Sequence, residues 1–151
     1  MVTIFDAEGV AIGRLGAKVA KLILSGESAV VINAEKAVIT GRRRYIIEKY
    51  TARRAVKQKA NPQHSPHWPR RPDMLVRRII RGMLPFDRSR GREAYKRLRV
   101  YIGLPQEFQG KELKTMDKVS MKGKERHMTI SELCKELGWQ GSTGSKSAIT
   151  S

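Results

Sequence analysis

Three short stretches near the beginning of the chain narrow the folds open to it. Val2–Phe5, VTIF, is short and rich in β-branched and aromatic residues, as strands are. GRLGAKVAKLILSG, residues 13–26, puts Leu15, Val19, Leu22 and Ile23 on one side of a helix and Arg14, Lys18 and Lys21 on the other, with Gly26 as a stop signal. Ala29–Asn33, AVVIN, is a continuous apolar run, the pattern of a strand covered on both faces. Strand, helix, strand in this order is a βαβ unit, because a helical crossover is what parallel strands need and antiparallel ones do not. The chain is therefore expected to be α/β with a parallel sheet.

The rest of the 151 residues can be read as additions to that unit. Thr40 is a candidate cap for a helix within residues 42–58, with Ile46, Ile47 and Tyr50 as its apolar stripe. Lys59–Pro72 holds four prolines and few aliphatic residues, so it is expected to be an extended loop, and a loop of that length in a compact domain usually has a use. Pro72 and Asp73 suit the start of a further helix whose inner half is Leu75, Val76, Ile79, Ile80 and Met83. SRGREAYKRLR, residues 89–99, predicts a helix with Ala94, Tyr95 and Leu98 inward and Arg92, Lys96 and Arg97 outward, followed by a strand in RVYIG. Residues 104–126 are polar and irregular, TISELCKELGW is a short helix capped by Thr129 or Ser131, and Cys134 reads as a half-buried helix residue. One domain over residues 1–140 with a flexible tail at 141–151 is the expected organisation, and no internal repeat is present.

Charge narrows the partner. The formal net charge is +17, and residues 41–99 carry nineteen basic against four acidic side chains, a net of +15. A general solubility device would be spread over the whole surface, whereas a concentrated basic patch is the electrostatic footprint of nucleic-acid binding. Arginine outnumbers lysine there, and its planar fork matches phosphate oxygens. Basic groups shared among several helices and a loop suit irregular folded RNA better than one recognition helix in a DNA groove. The candidate RNA-binding residues are Arg14, Arg42, Arg43, Arg44, Lys49, Arg53, Arg54, Lys57, Lys59, His64, His67, Trp68, Arg70, Arg71, Arg77, Arg78, Arg81, Arg88, Arg90, Arg92, Lys96 and Arg97. The rings of His64, His67 and Trp68 are of a type that stacks on unpaired bases.

Other chemistries fit less well. Gly9, Gly13 and Gly16 match neither the P-loop nor the dinucleotide fingerprint, and Gly16 is better read as allowing close helix–sheet packing. His64 and His67 lack the further ligands that a structural zinc site needs, so no metal is expected. No catalytic residues and no cofactor or small-molecule substrate are assigned. A single cysteine excludes an internal disulfide, no signal peptide or membrane span is legible, and a soluble cytosolic protein is expected. An RNA-modifying or nucleotide-using enzyme is the competing reading, its ligand lying at the strand C-termini near AIGRLG and NAEKAVITG.

IGRLGAKVAKLIL, VVINAEKAVITGRR, RRIIRGMLP and RGREAYKRLRVYIGLP, in that order, resemble the universal large-subunit ribosomal protein thirteen family, in its archaeal-type form. The resemblance covers residues 2–104 well and the last third loosely. It implies a three-layer α/β/α fold around a four-stranded parallel sheet, here with an extended loop and a C-terminal helical or irregular extension. It also implies a non-enzymatic role in the large ribosomal subunit of the cytoplasm, with ribosomal RNA and neighbouring ribosomal proteins as partners. Arg14, Asn33, Thr40, Gly41, Arg42, Arg81, Gly82, Met83, Leu84, Pro85, Gly91, Leu98, Val100 and Tyr101 fall on its motif positions. Met83 and Leu84 are expected to anchor a turn that aims Arg81, Arg88, Arg90 and Arg92 at one RNA surface.

Overall fold

The βαβ unit forms as its apolar pattern dictates. In the computed structural model, which describes residues 2–116 and 126–141, β1 (Val2–Asp6) leads through α1 (Ile12–Leu24) into β2 (Ser28–Ile32), and β1 and β2 pair in parallel from Val2 opposite Ser28 to Asp6 opposite Ile32. There follow β3 (Val38–Thr40), α2 (Arg43–Ala55), α3 (Pro72–Arg81), α4 (Ser89–Lys96), β4 (Leu98–Val100), β5 (His127–Thr129) and α5 (Ile130–Glu136). β4 joins the other edge of β2, also in parallel, giving the order β1-β2-β4.

Alternation along these strands serves two cores. Phe5, Ala29, Val31 and Leu98 face the main one, which takes in Leu15, Val19 and Ile23 of α1 and Leu75, Val76 and Ile80 of α3. Ile4, Val30 and Ile32 face a smaller cluster with Phe108, Tyr101 and Leu113. AVVIN is thus covered on both sides, as its unbroken apolar run requires. The parallel sheet has three strands among the described residues, not the expected four, although Lys114 forms an isolated parallel bridge with Phe5. The smaller cluster is closed by a one-turn 3-10 segment, Gln106–Phe108, where a three-layer arrangement would have an α-helix.

A second sheet was not foreseen. β3 pairs antiparallel with β5, Val38 opposite Thr129 and Thr40 opposite His127. Thr40 is therefore a strand residue and not the cap of α2, whose N-cap is Arg42 without a side-chain bond. Thr129 does cap α5, in a capping box with Glu132. Ile130, Leu133 and Cys134 enter the main core, and Cys134 is wholly buried rather than half-buried. Residues 117–125 of the irregular segment and 142–151 of the tail lie outside the described residues.

The connection between α3 and α4 also departs from expectation. Leu84 is buried and seats this turn in the core, whereas Met83 is 39% exposed and reaches only the surface of α1 with the end of its side chain, beside Gly16. A glycine explains how close α4 can come. A Cβ on Gly91 would run into the Pro85 carbonyl oxygen, closer than any non-bonded contact permits. Gly16 meets the end of the Met83 side chain and Ile80, so it makes room for the α3 region and not for the sheet. α4 ends at Lys96, earlier than expected, because Leu98 must pair with Ala29 in β2.

Candidate nucleic-acid interface

The basic residues fall into three groups. Arg14, Arg42, Arg44, Lys49, Lys57, Lys59, Arg70, Arg88, Arg92 and Lys96 are exposed and have no carboxylate partner among the described residues. Others are engaged by the protein itself. Arg43 pairs with Glu132 at 3.1 Å and Glu136 at 3.5 Å, and Arg71 with Asp73 at 2.9 Å. Arg54 donates from Nη1 to the Leu137 carbonyl at 3.0 Å, at the end of α5. Burial, and after it the neighbouring Arg70, lower its pKa below the ordinary guanidinium value.

Arg90 and Arg97 donate to the carbonyls of Leu24 and Ile23, each at 3.3 Å. The last carbonyls of a helix have no intrahelical donor, and a cation there complements the helix dipole. These two arginines therefore cap α1, and Arg97 is half-buried where the sequence pattern placed it outward.

A third arrangement joins arginines to rings. The Cζ of Arg77 lies 4.6 Å from the ring centre of Tyr95, that of Arg78 5.2 Å from Trp68, and that of Arg81 3.9 Å from Phe86. Arg53 from α2 lies 4.7 Å from Trp68 and 5.3 Å from Tyr50. The rings interlock edge-to-face, Tyr50 with Trp68 at 5.9 Å and Phe86 with Tyr95 at 5.6 Å. Burial, only partly offset by Arg53, raises the Tyr50 pKa above 10.0. Trp68 is thus half-buried, flanked by Arg53, Arg78 and Tyr50. His64 and His67 remain exposed on the Pro-rich loop. Part of that loop is a 3-10 turn, Pro62–His64, and the Gln58 N–H donates to Ser65 Oγ at 3.0 Å.

Some neighbours were missed from sequence. Arg126 lines an open groove with Arg42, Arg43, Arg44, Ile47 and Thr51 of the α2 region. Arg99 and Lys111 join Lys96 and Arg97 around a hollow floored by Val2, Ile4, Val30 and Phe108. The alternation Leu98-Arg99-Val100 carried a signal for Arg99, whereas Arg126 and Lys111 arrive through tertiary contacts.

At the C-terminal ends of β1 and β2, where a nucleotide was the competing expectation, the polar groups serve each other. Asn33 donates to Asp6 Oδ1 at 2.9 Å, Glu35 accepts from the Gly103 N–H at 3.0 Å, and Lys36 lies 3.4 Å from Glu8. Asn33 holds a left-handed backbone with φ 53°. Among the described residues no cluster of three or more potential metal ligands occurs, and no helix is long and apolar enough to cross a membrane.

The family model described as Ribosomal protein L13 matches residues 1–107, a span that contains the whole basic segment. The chain belongs to the ribosomal protein L13 family. Its similarity to L13 relatives continues past that span. It is 42% identical over 144 residues to the large ribosomal subunit protein uL13 of Archaeoglobus fulgidus, covering 92% of this chain and 89% of the relative. It is 46% identical over 138 residues to the uL13 of Methanocaldococcus jannaschii, covering 90% and 97%. The L13 family is one of ribosomal structural proteins, not enzymes.

Proposed function

We propose that this chain is a structural constituent of the large ribosomal subunit in the cytoplasm, where it binds ribosomal RNA and supports subunit assembly and translation. The observation that carries this is the L13 match over the segment holding a net +15, together with relatives named as large-subunit proteins. Residues 1–140 act as one RNA-binding domain and 141–151 as a tail. The fold is read as three-layered with a fourth parallel strand beside β1, a reading supported by the isolated bridge between Lys114 and Phe5. Neighbouring large-subunit proteins are its other partners.

The candidate residues divide by role. Arg14, Arg42, Arg44, Lys49, Lys57, Lys59, Arg70, Arg88, Arg92 and Lys96 supply exposed phosphate contacts, and His64 and His67 meet unpaired bases. Arg53, Arg77, Arg78 and Arg81 contact phosphate from ring-supported positions. Arg43, Arg54, Arg71, Arg90 and Arg97 contribute to the field while serving the fold.

The test is binding of the chain to a large-subunit RNA fragment across a salt series. Phosphate contacts release counterions, so six to ten of them weaken binding by roughly 10³–10⁵ between about 50 and 200 mM salt. An affinity that is nearly flat over this range refutes the reading.

A further inference from the structure

We propose that Trp68, Phe86 and Tyr95 are positioning residues for phosphate recognition: they hold the three arginines of α3 in place before RNA arrives. The inference rests on the RNA-binding reading above. Arg77, Arg78 and Arg81 share little more than one helical turn, and Arg77 and Arg81, four residues apart, repel each other as like charges on one face. Among the described residues no carboxylate pairs with any of the three. The Nε of Arg77 is shielded from water without a hydrogen-bond partner. A free polypeptide has reason to let such side chains splay into water.

Each instead sits against a ring from a different part of the chain: Trp68 from the Pro-rich loop, Phe86 from the α3–α4 turn and Tyr95 from α4. Trp68 also receives Arg53, so α2 and α3 each contribute a guanidinium to one indole. A ring takes up a face of the guanidinium and leaves in-plane N–H groups free for phosphate oxygens, which for Arg77 means the terminal Nη groups, since its Nε is shielded. The side-chain freedom that binding would otherwise remove is already reduced in the free protein. The ligand is the phosphate backbone of folded RNA, and the rings act through the arginines rather than by touching a base.

The experiment compares the full-length wild type with Trp68→Leu, Phe86→Leu and Tyr95→Leu, which keep apolar bulk, and with Arg77→Lys/Arg78→Lys/Arg81→Lys, which keeps every charge. Affinity for a transcribed large-subunit RNA fragment is measured over a salt series, with circular dichroism as the check of fold. Each ring variant is expected to bind about 2- to 5-fold more weakly, and the lysine triple variant about tenfold. The slope of log affinity against log salt is expected to stay at the wild-type value, since the number of phosphates contacted is unchanged. Folded ring variants that bind like the wild type overturn the proposal, and so does a lysine triple that does. A loss of affinity with a flatter slope also overturns it, because contacts would then have been removed rather than loosened. Where a ring variant fails to fold, the lysine triple decides, as its substitutions leave the core intact. A wild type without steep salt dependence sinks the RNA-binding reading itself, an outcome distinct from all of these.

Discussion

Two glycines in helices show how much one methyl group can matter. At Gly91 the added carbon collides with the Pro85 carbonyl, and the obstacle is backbone that cannot rotate away. At Gly13, near the start of α1, it meets nothing within 4 Å. Gly91→Ala is expected to lower stability by about 2–3 kcal/mol, and Gly13→Ala to raise it by about 0.5–1 kcal/mol. Urea unfolding of both variants reads this directly. Cys134 gives a second residue-level expectation. Burial pushes its thiol from 9.0 up to about 12, so the native chain keeps a proton that the unfolded chain has lost between those values. Its contribution to stability is complete below about pH 9 and declines as pH rises toward 12. Tyr50, raised by burial, acts in the same direction. The urea midpoint of the wild type should therefore fall between about pH 8 and pH 10.5, and that of Cys134→Ala should fall less. Equal slopes would contradict the assignment.

Among the elements, α5 depends most visibly on cations lent by α2. Arg54→Ala removes the donor to the Leu137 carbonyl and is expected to cost about 1–2 kcal/mol. Arg44→Ala, on the exposed side of the same helix, should stay within about 0.5 kcal/mol. Chemical denaturation of the two variants separates a fold-serving arginine from a free one. The α3–α4 turn yields a similar contrast: Leu84→Asp places a charge in the core and should unfold the chain, whereas Met83→Asp, at a 39% exposed site, should be tolerated. Sequence periodicity was a good guide wherever the information was local. It located α1, α3 and the β1–β2 pair because their apolar spacing reports one buried face. It failed for Met83, since a helical wheel keeps assigning a face after the helix has ended at Arg81. It also failed for β3, a three-residue strand defined only by a partner some 90 residues away in β5. The pairing of arginines with Tyr95, Phe86 and Trp68 was illegible for the same reason: charge patterning marks a basic face but not what lies beneath it.

For the whole molecule, the basic surface should behave as a distributed contact. Arg88→Ala and Arg92→Ala change exposed side chains that the fold does not use, so each should weaken RNA binding slightly, leave the urea midpoint in place and reduce the salt slope by about one. A midpoint shift of more than about 0.5 kcal/mol equivalent in either variant would assign it a structural role instead. Burial accounts for the fold's own share of stability, and charge for the affinity of the surface, and the ion-paired, capping and ring-supported arginines belong to both. The antiparallel pair of β3 with β5 has a temporal consequence. Synthesis proceeds from the N-terminus, so the entire cationic segment from 41 to 99 is made before His127–Thr129 exists to pair with Val38–Thr40. For that interval the nascent chain carries its positive charge on a body whose second sheet is open and whose α5 has yet to dock. The pairing of β5 with β3 and the docking of α5 can come only after the basic segment is made, so any polyanion met earlier encounters an incomplete fold.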